Sequence, residues 1–299
     1  MKLLIVGAGG QLGRELVRQG QAYRIDLLAP ARNQMDITNI SQVKNTLAEY
    51  CPSIVINAAG YTHVDRAEDE PELACGINKI GTANLAQCCA RQKIPLLQIS
   101  TDYVFDGQKG APYLEEDPVS PLGVYGQSKA DGEKTIRLIL KEHIIVRTSW
   151  LYGVYGHNFV KTMLKLAKEK NIINVVADQF GSPTSATDLA EALLQIARRI
   201  KKAPTSYWGT YHYSGQGITT WHGFAEKILE LAKSYESILT TRVEPIKTEA
   251  YPARARRPVF SALDCSRIKN SFKINPKPWQ ESLKMIIERI FSESHGNEK

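Results

Sequence analysis

Tyr125 and Lys129 stand four residues apart in SPLGVYGQSKADGE, the stretch from Ser120 to Glu133. Side chains at that spacing share one face of a helix, and an ammonium beside a phenol favours the phenolate. The pair could be a tuned proton donor, but the spacing is common and on its own reads first as an ordinary surface tyrosine and lysine. A second group of reactive types lies upstream, where the run LLQISTD ends on Ser100, Thr101 and Asp102. Ligands of open α/β sheets bind beyond the carboxyl ends of strands. These three residues are therefore either part of a site or a merely polar strand end. A hydroxyl, a phenol and an ammonium brought together could hold one carbonyl and protonate its oxygen.

The start of the chain suggests what such a carbonyl would react with. LLIVGAGGQLGREL places Gly7, Gly10 and Gly13 between an apolar run and an amphipathic stretch. Glycines at a strand-to-helix turn permit a tight bend and close approach of a pyrophosphate, and the helix N-terminus offers free N–H groups. It is the context, more than the glycines themselves, that points to dinucleotide binding over a merely tight turn. Sites that prefer NAD place an acid after the second strand to hold the ribose 2′-hydroxyl. Here LLAPARNQMDIT has Arg32 in that place, with Asp36 later. Arg32 is either a partner for a 2′-phosphate, which leans the expectation to NADPH over NADH, or a solvated loop arginine.

These residues need a frame that gathers strand ends. Short apolar runs at 3–6, 25–29, 53–58, 96–100 and 144–149 read as strands. They are continuous instead of alternating, as in a parallel sheet covered on both faces. Helical patterns at 11–19, 40–50, 72–91 and 128–140 separate them. The alternation predicts an α/β fold, a Rossmann-type doubly wound parallel sheet with right-handed crossovers. Beyond residue 150 the pattern loosens into helices at 157–169, 186–201, 219–234 and 280–291, strands near 173–177 and 209–213, and a long polar connection at 248–266. The expected organisation is an NAD(P)-binding Rossmann domain over 1–150, rejoined by segments from about 173–234. A smaller mixed α/β substrate-binding portion is expected within 151–299.

Composition narrows the partners. The 299 residues, 43% hydrophobic and 23% charged, fit a soluble globular protein with a sizeable core. The opening apolar run is too short for a signal segment or a membrane span. Five cysteines without CxxC spacing suit reduced thiols, hence a cytoplasmic location. The net charge is +7, but no basic stretch is interleaved with aromatics. An anionic small-molecule substrate is expected, with no nucleic acid and no membrane. The histidines lack HExxH or Cys/His ligand spacing, so no catalytic metal is expected. Arg254, Arg256 and Arg257 could fork onto phosphate oxygens or line a solvated loop.

Eight pieces then matter in order: GAGGQLG (7–13), MDIT (35–38), INAAGYTHVDRAE (56–68), ISTDYVFDG (99–107), YGQSKADGE (125–133), VRTSWLYG (146–153), ADQFGSPTSATDLA (177–190) and RARRPVFSALDCS (254–266). With them the chain resembles the extended short-chain dehydrogenase/reductase superfamily and, within it, the dTDP-4-dehydrorhamnose reductase family. The pieces span nearly the whole chain, and STDYVFDG, RTSWLYG and DQFGSPT together are far more specific than the glycine or Tyr–Lys motif alone. The resemblance implies reduction of the C4 ketone of dTDP-4-dehydro-β-L-rhamnose by NAD(P)H, giving dTDP-β-L-rhamnose. It implies catalysis by Thr101, Tyr125 and Lys129. Tyr125 would protonate the oxygen and Thr101 would hydrogen-bond it. Lys129 would lower the phenol's pKa and contact the nicotinamide ribose. The same match carries the cofactor diphosphate to Gly10, Gln11 and Leu12, and the adenine to Asp36 and Ile37. The remainder of the cofactor would pass along Ala58, Ala59, Gly60, Tyr61 and Thr62. Asp102, Trp150 and, of the three arginines, Arg257 are implied as sugar-nucleotide contacts. Without the match Trp150 reads as a core aromatic.

Some features depart from the family pattern. Some members hold Mg²⁺ on acidic groups at a dimer contact. Glu15 is present here, but Thr187 stands where relatives can carry an acid. A non-catalytic Mg²⁺ is what the resemblance leaves open, and a homodimer is the default expectation. Two other activities stay open. One is a nucleotide-sugar epimerase or 4,6-dehydratase of the same superfamily. Dehydratases commonly carry Glu where this chain has Tyr103 after Thr101 and Asp102. The other is a non-catalytic regulatory subunit resembling that of methionine adenosyltransferase, against which the complete Thr–Tyr–Lys set argues.

Overall fold

The first strand, β1 (Lys2–Val6), sends Leu3 and Ile5 into one apolar core and Leu4 and Val6 into another. Successive strand side chains point to opposite faces, so a strand with no polar alternate has to be covered twice. In the computed structural model, which describes residues 1–203 and 207–296, it is. α1 (Gln11–Ala22) packs Leu12 and Leu16 on the Leu3–Ile5 face. After β2 (Asp26–Leu28), α2 (Ile40–Tyr50) packs Val43 and Leu47 on the opposite face. β3 (Ile54–Asn57) and the short α3 (Val64–Ala67) follow. α4 (Pro71–Cys75) then runs through a π-helical turn at Gly76–Gly81 into α5 (Thr82–Gln92). β4 (Leu96–Thr101), α6 (Val124–Ile139) and β5 (His143–Thr148) complete the first half.

The second half contributes β6 (Leu151–Tyr152), α7 (Phe159–Glu169), β7 (Ile172–Val176), β8 (Phe180–Gly181), β9 (Thr184–Ser185) and α8 (Ala186–Lys202). Next come β10 (Gly209–His212), β11 (Thr219–Thr220), α9 (Trp221–Ala232), β12 (Arg242–Ile246), α10 (Ser266–Phe272) and α11 (Trp279–Gly296). The large sheet runs β2-β1-β3-β4-β5-β10, every pair parallel. Strand order reverses between β1 and β3, the place where doubly wound sheets bind ligands. Chain return to this sheet is narrower than the expected 173–234. α8, β10 and the later α10 pack on it. β7 and α9 instead share a second core with α7 and α11, and β12 pairs in parallel with β7. No helix among the described residues is long and apolar enough to cross a membrane.

α6 sets the site. A Cβ on its Gly126 would lie 2.1 Å from the Tyr103 carbonyl oxygen, so only glycine lets the helix approach the end of β4 this closely. The small residues around Tyr125 thus serve contact between α6 and the strand end. Strand register puts Thr101 beside Thr148 of β5, at the carboxyl edge of the sheet.

Candidate active site

The turn between β1 and α1 is built against the end of β3. Gly7 has φ +80°, and a Cβ there would sit 2.4 Å from the Ala59 nitrogen. The N-cap of α1 is Gly10, with no side-chain cap and no acid in the first turn. First-turn N–H groups without such partners are available to an anion. A cleft of about 500 Å³ opens here, lined by Gly7, Gly10, Arg32, Asp36, Ile37, Ala58, Ala59 and Gly60 among others. Asp36 accepts hydrogen bonds from the Thr38 nitrogen (2.9 Å) and hydroxyl (2.7 Å) and from Arg32 Nε (3.2 Å). Burial alone would raise this carboxyl, but those bonds outweigh it and hold it below its ordinary value.

A second cavity of about 410 Å³ shares Gly10, Ala58, Ala59 and Gly60 with the first and continues to Thr101, Asp102, Tyr125 and Lys129. Thr101 Oγ1 donates to Asp102 Oδ1 (3.0 Å) and accepts from the Tyr103 nitrogen (3.2 Å). Thr101 is the side chain that acts on the Tyr125 phenol to favour its ionised form. The Tyr125 ring meets Tyr103 edge-on at 5.5 Å. Lys129 Nζ donates to the Ile99 carbonyl at 2.6 Å. Burial brings Lys129 down to about 8, against the pull of Glu133. The expected acidified phenol is not what the structure has: burial, aided by the Asp102 charge, pushes Tyr125 up to about 12, and only Thr101 pulls the other way. Burial also pushes Asp102 up to about 6. Four buried atoms on this cavity, Gln11 Oε1, Ser100 Oγ, Asp102 Oδ2 and Thr148 Oγ1, have no hydrogen-bond partner within the chain. Buried polar groups are otherwise almost always paired, so these four mark a place built for an outside partner.

One wall is aromatic. Trp150, held at φ +48°, stacks on Trp221 at 3.7 Å and 8°, and Phe159 leans on Trp221 at 4.7 Å. All three line the second cavity. Phe159 and Trp221 are the first residues of α7 and α9, so the second core supplies this wall. Sequence reasoning passed over both, because no spacing ties them to Trp150.

A family model described as RmlD substrate binding domain matches residues 1–292. A dTDP-4-dehydrorhamnose reductase of Aggregatibacter actinomycetemcomitans is 44% identical over 287 residues, 95% of this chain and 98% of the relative. The chain belongs to the dTDP-4-dehydrorhamnose reductase family. Solved structures agree. The dTDP-4-dehydrorhamnose reductase of Clostridium acetobutylicum is 39% identical with a TM-score of 0.90, covering 97% of this chain and 99% of that one. The Bacillus anthracis dTDP-4-dehydrorhamnose reductase in complex with NADP is 40% identical with a TM-score of 0.88, covering 96% and 99%.

Against this reductase family the remaining expected residues fall as follows. Leu12 and Thr62 line the second cavity. Gly13 touches neither cavity; a Cβ there would lie 2.1 Å from the Gly7 carbonyl oxygen, so it serves the seating of α1 on the turn. Tyr61 turns its phenol away, donating to Glu70 Oε2 at 2.6 Å. Arg257 forks onto Asp65 at 2.8 and 3.2 Å and lines neither cavity. Arg254 pairs with Asp69. Glu15, fully buried, receives Arg289 on Oε1 (2.8 Å) and Arg18 on Oε2 (2.9 Å), and Thr187 Oγ1 accepts from the same Arg289 (3.1 Å). Both oxygens of this carboxylate are already taken up by guanidinium donors, so neither is open to ligate the Mg²⁺ that the resemblance left open.

Proposed function

We propose that the chain reduces the C4 ketone of dTDP-4-dehydro-β-L-rhamnose with NADPH or NADH to dTDP-β-L-rhamnose, the last step of dTDP-rhamnose biosynthesis. One observation carries the reading: Thr101, Tyr125 and Lys129 line one cavity together with Gly10, the N-cap of the uncapped glycine turn. The donor set fits a pyridine dinucleotide. The α1 N-terminus at Gly10, Gln11 and Leu12 would hold its diphosphate, Asp36 and Ile37 its adenosine, and Arg32 a 2′-phosphate. Lys129 would hold the ribose next to the nicotinamide. When bound, that group supplies a hydride to the C4 carbon.

The chain's own residues do the rest. A phenol held at about 12 keeps its proton at neutral pH, so Tyr125 arrives as an acid. It gives that proton to the ketone oxygen as negative charge grows there. Thr101 adds a hydrogen bond to the same oxygen, and the Lys129 ammonium stabilises the phenolate left behind. Trp150, Trp221 and Phe159 offer an apolar wall to the C–H face and methyl group of a deoxysugar. The free thiols Cys51, Cys75, Cys88, Cys89 and Cys265 accord with a cytoplasmic enzyme.

The test is direct. Purified protein is mixed with dTDP-4-dehydrorhamnose and NADPH or NADH, and loss of reduced-cofactor absorbance is followed together with formation of dTDP-rhamnose. Turnover on retained NAD without added reductant would instead indicate an epimerase or dehydratase. No oxidation, with a tightly bound protein partner, would indicate a regulatory subunit.

A further inference from the structure

Lys129 presents an electrostatic problem that its own contacts leave unsolved. It is 8% exposed, and its hydrogen bond goes to the neutral Ile99 carbonyl. A buried ammonium without a counter-charge tends to lose its proton. One turn further along α6, on the same face, stands Glu133, 1% exposed. Its carboxylate is clamped. Arg147 on β5, itself 1% exposed, donates Nε to Oε1 (2.9 Å) and Nη2 to Oε2 (2.7 Å), and Arg137 adds a third bond (2.7 Å). Arg147 is in turn backed by the Phe105 ring at 5.0 Å and the Glu115 carbonyl at 3.4 Å.

The groups around Lys129 differ in what they can do for it. Tyr125 on α6 stays neutral, and the Asn78 side chain from the π-helical turn carries no charge. Asp102 beyond β4 titrates near 6, so its charge varies across the working range. His212 on β10, behind Arg147, is held neutral by burial. Among the charged groups nearby, Glu133 is the one whose pull on Lys129 opposes burial. Burial alone would neutralise Glu133, yet the two arginines keep it ionised.

We propose that Glu133 is a positioning residue: clamped by Arg147, it is the fixed counter-charge that keeps Lys129 an ammonium. Its catalytic meaning rests on the role assigned to Lys129 above, but its physical content does not. The measurement is the titration of Lys129 in ¹³C-lysine-labelled protein, with the signal assigned by its loss in Lys129→Arg. Glu133→Gln alone strands a buried guanidinium, so the working variant is Glu133→Gln/Arg147→Met. Replacing both partners of the buried pair leaves no uncompensated buried charge, because the remaining Arg137 is part-exposed to solvent, and a Met thioether packs well on the Phe105 ring. Glu133 is the charge that holds Lys129 up against burial, so removing the pair lowers the Lys129 titration from about 8 by about one pH unit or more. Glu133→Asp keeps the charge while shortening the clamp, and holds Lys129 within about half a unit of its starting value. An unshifted Lys129 in the double variant, or an equal fall in Glu133→Asp, overturns the proposal. Neither result depends on turnover, so failure of the reductase assay and failure of this inference are separate outcomes.

Discussion

Asp102 should make the protein less stable as pH rises, and its replacement should show by how much. The side chain is 2% exposed and its carboxyl is raised from 3.8 to about 6. A carboxyl with a raised folded pKa favours folding only while protonated. Below about pH 4 it is protonated in both states and costs nothing. The cost grows between pH 4 and 6 and is complete above the folded pKa. A shift of that size corresponds to about 3 kcal/mol. In Asp102→Asn the retained oxygen still accepts from Thr101, as Oδ1 does now at 3.0 Å. The new Nδ2 takes the place of Oδ2, which has no partner, and leaving a buried amide donor unpaired costs about 1 kcal/mol. The net gain is then about 2 kcal/mol at pH 8, roughly 5 °C in melting temperature. It vanishes, or turns slightly negative, near pH 4. Thermal melts of the two proteins at pH 4 and pH 8 read this directly, and turnover at pH 8 should fall at least about tenfold as the carboxylate leaves the cavity. The same melting difference at both pH values, or a less stable variant at pH 8, would refute the reasoning.

Three other outcomes follow from the same geometry. Tyr125→Phe removes the proton donor and should lower turnover by about 10²–10⁴-fold, with cofactor binding, read by fluorescence titration, nearly unchanged. Arg32→Ala should weaken NADPH binding by about tenfold or more through loss of a charge-assisted phosphate contact, and leave NADH binding within about twofold; equal losses for both would remove Arg32 from 2′-phosphate recognition. Gly13→Ala puts a methyl 2.1 Å from the Gly7 carbonyl oxygen. Calorimetry should find dinucleotide binding lost, because α1 must move off the turn.

Sequence legibility was greatest where local pattern and tertiary role coincide. The 40–50 helix, the 96–100 strand and the 186–201 helix lie where periodicity put them, within a residue or two. Tyr125 and Lys129 were read onto one helix face, and α6 starts just ahead of Tyr125. What escaped was non-local. Trp221 and Trp150 stack against one core from separate elements, and Arg257 finds Asp65 across 192 residues. β12 contains Pro245, which argues against a strand on local grounds and is tolerated at an edge. Two-residue strands such as β6 and β9 carry no period to read. The acidity of Tyr125 was misjudged for the same reason. Spacing put an ammonium nearby, but burial, which only the assembled fold determines, dominates the phenol and sends it upward.

The costly features of this molecule are not scattered. Trp150 in a left-handed backbone conformation, Asp102 buried with an unpartnered oxygen, and Lys129 desolvated beside a carbonyl all line one cavity. Each is destabilising on its own, and a fold selected for stability alone would relieve each with a single substitution. The elements carrying them are at the same time among the most firmly fixed. β4 and β5 pair along their full length, α6 is pressed onto the strand end at Gly126, and the Arg147–Glu133 clamp ties β5 to α6. Strain held on a rigid frame persists only where the surrounding structure over-determines it. Substitutions that relieve this strain should therefore raise stability and lower turnover together, whereas the same relief outside the cavity should raise stability alone.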